Sequence, residues 1–296
     1  MRRYALYLGC TTPTQVIPYE LASRWVCRAL GIELVDLAEF TCCGMNQVNL
    51  SLEAGSLLAA MNLAHAEAKG LDILALCPAC AGTLAEETER LRDEGRRARI
   101  NEALALVGLE YKGRARVRHL SRVLYEDIGP ERIRAGVRRD LSALRLAPHY
   151  GCHSLKPKSV FEGSDDPDDP RTLHELIAAA GARPLPYATL PLCCGGKSFP
   201  VSPEPALSLV RKKLDDLIGR RADGLVVQCQ TCYLMYSGQQ KAVRERFGDR
   251  PLVPVLLYPQ LLGLAMGGDP VDDLGLDLSA VPLDGILVKA GLAKWS

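Results

Sequence analysis

The sequence predicts an α/β protein with two pseudo-symmetric repeated domains, each a small, mainly parallel sheet flanked by helices. Two observations predict this fold: a cysteine motif occurs twice, and strand-like and helical segments alternate around both copies. The chain has 296 residues, of which 48% are hydrophobic, enough for two cores. We expect a first domain over residues 1–140 that includes a helical connector, and a second over 141–296 that includes a C-terminal extension.

The repeat is built from ten of the eleven cysteines. Each copy has a lone cysteine, then a Cys-Cys-Gly triplet, then a Cys-x-x-Cys pair. The cysteines of the first copy are Cys10, Cys42, Cys43, Cys77 and Cys80, and those of the second are Cys152, Cys193, Cys194, Cys229 and Cys232. The copies are offset by 142 residues at the lone cysteine (152 − 10) and by 151 at the triplet (193 − 42). The second copy therefore has an insertion between these points, for which the acidic stretch 164–170 is the candidate.

The predicted elements follow the same order in both copies. A strand ends at the lone cysteine, a helix ends in glycine, a short strand leads to the triplet, and a longer helix and an apolar strand lead to the Cys-x-x-Cys helix. The predicted segments are 4–9, 18–31, 33–36, 51–69 and 72–76 in the first copy, and 146–151, 171–181, 183–186, 203–220 and 224–228 in the second. We expect residues 81–140 to be mostly helical and charged, and a strand over 252–257 to precede a short helix.

The cysteines are placed where a parallel sheet forms its sites. Every cysteine of the repeat follows a predicted strand or lies in the loop after it. Because ligands bind beyond the carboxyl ends of strands in such sheets, we expect the five cysteines of each copy to come together.

Composition excludes several function classes. The net charge of +1 and the aromatic content of 5% are unfavourable for nucleic-acid binding. No stretch approaches the ~20 apolar residues of a membrane helix, and we interpret the N-terminus as a buried strand rather than a signal peptide. We therefore expect a cytoplasmic protein without a transmembrane segment, whose clustered cysteines serve metal or redox chemistry rather than disulfides.

The cysteine pattern indicates a metal cluster. A Cys-x-x-Cys pair at a helix start brings two thiolates to one centre, but dithiols, zinc sites and iron–sulfur clusters all use it. Two such pairs, each with a triplet and a lone cysteine upstream, are far more specific. Zinc and a cubane cluster each take four ligands, whereas each copy offers five, which favours a cluster other than a simple cubane. Structural zinc, or a cubane with a spare thiol, remains an alternative at this point.

The motifs resemble the B-type subunit of heterodisulfide reductase over nearly the whole chain. The segments that carry the resemblance are Tyr7–Cys10, Gly31–Asp36, Cys42–Gly44, His149–Pro157, Asp165–Pro167, Cys193–Gly196 and the pair Cys229 and Cys232. The resemblance implies two noncubane [4Fe–4S] clusters, with a disulfide reduced between them. One cluster would be bound by Cys10, Cys42, Cys43, Cys77 and Cys80, and the other by Cys152, Cys193, Cys194, Cys229 and Cys232.

The resemblance also implies a function and partners. We expect an iron–sulfur catalytic subunit of a heterodisulfide reductase-like complex, with a ferredoxin-like [4Fe–4S] subunit of the C type and an FAD-containing subunit of the A type. Richness in Ala, Arg and Leu favours a bacterial sulfur-oxidising complex with a lipoate-binding protein over methanogenic heterodisulfide reduction. Two competing hypotheses are an electron-relay CCG subunit of a lactate-, glycolate- or succinate-type dehydrogenase, and a zinc-stabilised scaffold.

Several further residues are candidates for binding an anionic thiol substrate. His153, Lys156 and Lys197 lie near second-copy cysteines in sequence, as does Lys158, although ordinary surface residues would fit equally well. His149 is either a hydrogen-bond partner of the cluster or a packed histidine.

The sequence gives weaker indications at other positions. Cys27 is expected to be a buried structural residue, and His65, His119 and His174 to lie in helices. The acidic run 165–169 is expected to be a solvated loop or a gate at the second cluster. Related subunits often have proline after the first cysteine pair, and Gly44 in its place would alter geometry or access there.

Overall fold

The computed structural model describes residues 2–157 and 165–293, so Lys158 and Ser164 lie outside the described residues. It confirms an α/β fold with two four-stranded sheets in which all neighbouring strands are parallel. The first sheet has the order β2-β1-β3-β4 and consists of β1 (Arg2–Tyr7), β2 (Ile32–Asp36), β3 (Asp72–Ala75) and β4 (Val117–His119). The second has the order β6-β5-β7-β8 and consists of β5 (Arg145–His149), β6 (Arg183–Pro184), β7 (Gly224–Val227) and β8 (Val255–Leu257).

Helices cover the sheets in both the first half (residues 2–140) and the second half (141–293). Those of the first half are α1 (Thr12–Gln15), α2 (Ile17–Ala29), α3 (Leu52–Ala68), α4 (Pro78–Arg90), α5 (Glu94–Ala105), α6 (Leu120–Arg122), which runs into a π-helical stretch (Val123–Ile128), and α7 (Pro130–Ala135). Those of the second are α8 (Thr172–Ala179), α9 (Pro203–Gly219), α10 (Gln230–Tyr236), α11 (Gln240–Phe247), α12 (Tyr258–Met266) and α13 (Asp284–Lys289).

The predicted elements are present at the predicted places in both copies. The sequence analysis missed one strand, β4, because we expected residues 81–140 to be mostly helical. β4 has only three residues at the edge of its sheet, and it pairs with β3 from Ile73↔Val117 to Ala75↔His119. Since β8 occupies the same place in the second sheet, the repeat extends beyond the cysteine motifs.

One hydrophobic core spans both halves, and a second lies within the first half. The helical segment after each fourth strand crosses to the other half: α12 packs against α2, and α7 packs against α8. The chain just after α7 is tied to the end of α12, because the amides of Arg138 and Arg139 donate to the carbonyl oxygen of Ala265. β8 and α12 confirm the strand and helix expected near the C-terminus, while the domain boundary at 140–141 stays a prediction. Among the described helices, none is long and apolar enough to cross a membrane.

Candidate cysteine redox site

The central strands of each sheet deliver their cysteines to one edge. β1 and β3 are neighbours with Tyr7 opposite Ala75, so the loops that carry Cys10 and Cys77 leave the sheet side by side. β2 lies on the other flank of β1, and the Cys-Cys-Gly turn follows it. β1 has β2 on one side and β3 on the other, so the connections to the neighbouring strands run in opposite directions. The cysteines therefore lie at the switch point where open parallel sheets bind ligands. β5, β6 and β7 repeat the arrangement.

The five thiols of the first half, here called the first cysteine group, interact with one another. Cys80 donates a hydrogen bond that lowers the pKa of Cys43 to about 6, and the backbone amide of Cys80 donates to Cys77 Sγ over 3.4 Å. Burial raises the pKa of Cys42, and the neighbouring thiolates of Cys43 and Cys10 raise it further. All five sulfurs therefore lie at one site.

The second cysteine group has the same linkage. Hydrogen bonding from Cys152 lowers the pKa of Cys193, and Cys194 interacts with both Cys193 and Cys232. Cys232 in turn lowers the pKa of Cys229 to about 7 by hydrogen bonding. Each sulfur of the Cys-Cys turn also accepts a backbone hydrogen bond of 3.4 Å from the amide two residues ahead. These amides orient the sulfurs and favour their thiolate forms.

Glycine allows the loop with the lone cysteine to approach the other thiols. Gly9 has φ +70°, and a Cβ there would lie 3.0 Å from Cys80 Sγ. Gly151, in the same place in the second copy, has φ +76°, and a Cβ there would lie 3.4 Å from Cys232 Sγ. A side chain at either position would be strained and would crowd a sulfur, so glycine sets this close approach.

Each group is buried on one side and open on the other. The exposed cysteines are Cys10, Cys152 and Cys193, Cys42 is half-buried, and the other six of the repeat are buried. No three His, Cys, Asp or Glu side chains among the described residues are arranged to hold a single metal ion. The donors of each group are sulfur alone, which is the ligand chemistry of iron–sulfur clusters. Five thiols gathered at one site, with an open side, fit such a cluster.

A cleft between the halves lies close to both groups. Its lining includes Pro78 of the first Cys-x-x-Cys and His153, next to the lone cysteine of the second copy. Tyr19 joins the halves, because its hydroxyl donates to the carbonyl oxygen of Gln228 over 2.9 Å. Burial raises the pKa of Tyr19, and thiolates of both groups, Cys229 and Cys77, raise it further. Tyr19 therefore lies between the two groups.

The structure separates the predicted substrate-binding residues. Half-buried His153 lines the cleft, and exposed Lys197 lies near enough to contribute to lowering its pKa, for which burial is the main cause. Lys156 is exposed and does not line the cleft. Asp165 caps the start of α8, accepting hydrogen bonds from the amides of Arg171 and Thr172, and also lines the cleft.

Two histidines have roles other than those the sequence favoured. His149 is buried with Nε2 3.3 Å from Cys232 Sγ, which supports the hydrogen-bond interpretation over a merely packed side chain. The expectation that His119 lies in a helix is wrong, because it ends β4 and its Nδ1 accepts from the amide of Ser121 at the start of α6. His65 and His174 lie in α3 and α8 as expected, and Cys27 is buried in α2.

Sequence reasoning missed Lys213, which lies behind the second cysteine group. It is fully buried in α9, among basic residues that look like a solvated face in the sequence. The helical spacing contains the signal, since residue 213 falls on the same face as Val210, Leu214 and Leu217, which are buried.

Comparison with known proteins places both cysteine groups in one family. The CCG cysteine-rich domain matches the chain twice, over residues 4–85 and 146–237. A solved structure of a hypothetical protein from Helicobacter pylori has the same fold, with a TM-score of 0.76 at 17% identity over 94% of this chain. The chain spans about half of that protein, 52% of its length.

Curated relatives match almost end to end. The B-type subunit of the ferredoxin/F420H2-dependent CoB–CoM heterodisulfide reductase of Methanosarcina acetivorans is 35% identical over 95% of this chain and 94% of its own. A protein of Archaeoglobus profundus, named as similar to the same heterodisulfide reductase subunit, is 33% identical over 93% and 94%. The membrane anchor subunit of the 8-methylmenaquinol:fumarate reductase of Wolinella succinogenes is 28% identical over 95% and 97%.

Proposed function

The chain belongs to the family of B-type heterodisulfide reductase subunits and contains two CCG cysteine-rich domains, and we propose that it is the iron–sulfur catalytic subunit of a heterodisulfide reductase-like complex. The reaction consumes two electrons and two protons, breaks one disulfide bond and gives two thiols, or runs in reverse. The observation that carries the proposal is a complete five-cysteine group in each half, with a neighbour of each group, Pro78 or His153, lining one cleft.

The ligand sets follow from the two groups. Cys10, Cys42, Cys43, Cys77 and Cys80 would hold one noncubane [4Fe–4S] cluster, and Cys152, Cys193, Cys194, Cys229 and Cys232 the other. When bound, each cluster supplies one electron and an iron that accepts a substrate sulfur. Two one-electron sites match the two electrons that a disulfide takes up.

The other residues of the site bind and orient. Buried thiols fix each group to its sheet, while the exposed thiols of Cys10, Cys152 and Cys193 mark the side open to substrate. His149 supports Cys232 from the protein interior. His153 and Lys197, at the mouth of the cleft, suit an anionic end of a thiol substrate. Lys156 is a weaker candidate because it lies outside the cleft lining.

We place the protein in a bacterial sulfur-oxidising complex, with lipoate-bound sulfur preferred over the methanogenic heterodisulfide. Its partners would be a ferredoxin-like [4Fe–4S] subunit, an FAD-containing subunit and a lipoate-binding protein. The high content of Ala, Arg and Leu supports this branch.

The test starts with anaerobically purified protein. We expect about eight iron atoms per chain and broad visible absorption, four irons for each cluster. Cys43→Ser and Cys194→Ser should each lower the iron content by about half, whereas Cys27→Ala, outside both groups, should keep it. Zinc without iron would contradict the proposal and support the scaffold.

Activity then identifies the substrate. Reduced viologen should be reoxidised by a disulfide of lipoamide or of a lipoyl carrier protein, faster than by the coenzyme M–coenzyme B heterodisulfide. The opposite preference would move the protein to the methanogenic branch.

The Wolinella relative favours one second candidate, an electron-relay subunit of a dehydrogenase or fumarate reductase-type complex. A relay would load its clusters and exchange electrons with viologen but would turn over no disulfide. Iron-loaded protein that fails with every disulfide would support the relay.

A further inference from the structure

The two cysteine groups have different electrostatic surroundings, although their ligands correspond one to one. The segments 7–14 and 42–51 of the first copy contain no Lys, Arg or His. The corresponding segments of the second copy, 149–156 and 193–202, carry four basic or imidazole side chains: His149, His153, Lys156 and Lys197. Within these segments, positive charge, from Lys156 and Lys197, therefore lies only beside the second group.

The deepest difference lies on the long helix behind each group. α3 and α9 are related by the offset of 151, which places Lys213 where the first copy has Asn62 (213 − 151 = 62). The contacts support this register, since a Cβ on Gly44 would clash with Gly55 and one on Gly195 would lie 2.9 Å from Ala206, which again differ by 151.

Both side chains hold the loop before the cysteine pair, but with different charge. Asn62 is neutral: its Oδ1 accepts from the amide of Thr41 over 2.8 Å, and its Nδ2 donates to the carbonyl of Cys42 over 3.1 Å. Lys213 Nζ donates to the carbonyl oxygens of Thr189 and Leu190 and to the hydroxyl of Tyr187.

The contacts of Lys213 suit the ammonium form, which burial disfavours, lowering the pKa of Lys213 to about 7, and which the facing thiolates Cys232 and Cys194 favour. Three acceptors surround Nζ, and Tyr187 cannot be the donor to it because its hydroxyl proton already goes to the carbonyl of Pro148, 2.7 Å away. Only the ammonium has three protons to give. The rings of Tyr187 and Tyr236 also lie 4.8 and 5.7 Å from Nζ, a distance suited to a cation.

Among the described residues, Nζ of Lys213 makes no hydrogen bond to a carboxylate. Asp216, one turn further along α9, accepts from Thr189 and from Arg220 Nε instead. Tyr236 stacks edge-on against His149, with ring centroids 4.9 Å apart, and His149 contacts Cys232. Buried side chains, Tyr236 and His149, thus separate the ammonium from the second group, and in such surroundings a charge acts more strongly than in water.

From this geometry we infer that Lys213 makes the second cysteine group the one that holds an added electron more tightly, so the two groups are unequal redox sites. Lys213 is a positioning residue: it touches no cysteine and acts through the field at the bound cluster. The inference rests on the proposed function, because it concerns the electron affinity of cluster-loaded protein.

A potentiometric titration of the iron-loaded protein, followed by electron paramagnetic resonance, tests the inference. We expect two separate one-electron steps, the more positive of which belongs to the second group. Cys42→Ser alters the first group, so the step that changes in this variant belongs to the first group. Because Lys213 is buried, raising the salt concentration should leave the separation in place.

The variants isolate the charge. Lys213→Gln should lower the potential of the more positive step by at least about 59 mV, which is a tenfold loss of electron affinity for one electron. The potential of the other step should stay unchanged. Lys213→Arg should restore the potential of the more positive step, and Lys212→Gln, which removes an exposed lysine from the same helix, should move neither step. A purely structural role for Lys213 would change iron loading without moving a potential selectively.

The outcomes are distinguishable. Protein without clusters contradicts the proposed function. Loaded protein with one unresolved step, with the steps assigned in the opposite order, or with Lys213→Gln titrating like the parent, contradicts this inference alone. If Lys213→Gln does not load, the wild-type titration and its assignment still decide the order of the two steps.

Discussion

Gly44 has a backbone conformation and a neighbour that no other residue type would tolerate. Its φ is +86°, and a Cβ would collide with the carbonyl oxygen of Gly55 on α3. Proline, fixed near −65°, could not adopt this conformation. The glycine therefore gives the first turn the same form as the second, where Gly195 has φ +74°.

Gly44→Ala should destabilise the protein more than Gly113→Ala. Both positions have nearly the same φ, +86° and +85°, but a Cβ on residue 113 has nothing within 4 Å. Both variants carry the cost of the left-handed backbone, about 1 to 2 kcal/mol, and only Gly44→Ala adds crowding of about 1 to 3 kcal/mol. Urea denaturation of the reduced, metal-free protein measures the difference. Equal losses of stability in the two variants would show that α3 shifts to accommodate the added methyl group.

His119 should make stability fall in mild acid. Burial lowers its pKa from 6.5 to about 4. Between these values the unfolded chain takes up a proton that the folded protein does not, so stability is present above pH 6.5 and is lost as the pH falls towards 4. The contribution is about 3 kcal/mol. His119→Gln should show a smaller loss of stability between pH 7 and 5 in denaturation experiments, and an unchanged slope would contradict the assignment.

At the residue scale, spacing predicted the cysteines and failed for their neighbours. Because the ten cysteines recur in one pattern, the two copies can be aligned from the sequence alone. The structure brings the thiols together in the two expected groups. The burial of Lys213 and His119 depends on which parts of the protein cover them, and this is a property of the tertiary fold. Aligning the two copies would have exposed Lys213, since an asparagine stands in its place in the first.

The helices after the Cys-Cys turns begin alike in sequence but differ in their caps. Ser51 accepts a hydrogen bond from the amide of Ala54 at the start of α3, whereas the side chain of Ser202 makes no capping bond at the start of α9. The two serines correspond under the offset of 151.

Ser51→Ala should therefore cost about 1 kcal/mol of folding stability, and Ser202→Ala close to nothing. The pair is a matched comparison, since the residue change and the helix position are the same. Chemical denaturation of both variants beside the parent measures it. A loss at Ser202 as large as at Ser51 would mean that Ser202 caps α9 in solution.

At the element scale, strands and helices next to cysteines were predictable and the connections between halves were not. Apolar runs and glycine stops defined β1, β3, α2 and α3. β4 was missed because three residues, Val-Arg-His, are too few to show alternation. The packing of α12 against α2 was missed because local periodicity identifies an apolar helix face but not the surface against which that face packs.

For the whole molecule, a core built from both halves contains cysteines of the second group, while buried cysteines of the first group lie in a core of the first half alone. Every residue of α12 is buried, although it belongs in sequence to the second half. It packs against α2, which follows Cys10 in the first half. The segment after α12 continues along α2, where Gly268 lies against Trp25 and Gly275 against Pro18. The core that spans both halves therefore needs α2 and α12 together, whereas the first half also has a core of its own.

Ending the chain after Leu257 should therefore damage the first half while both sheets remain encoded. This truncation removes α12 and uncovers α2, so we expect the emission of Trp25 to shift to the red and the unfolding free energy to fall by more than about 5 kcal/mol, because an entire buried helix is lost. The comparison protein carries Trp295→Phe, so that Trp25 is the sole tryptophan in both. Unchanged emission and an unchanged first-half transition would mean that the halves fold as independent domains. Because α7 in turn packs against α8, we expect the opposite result. The full chain should unfold in a single cooperative transition, and truncation should destabilise both halves together.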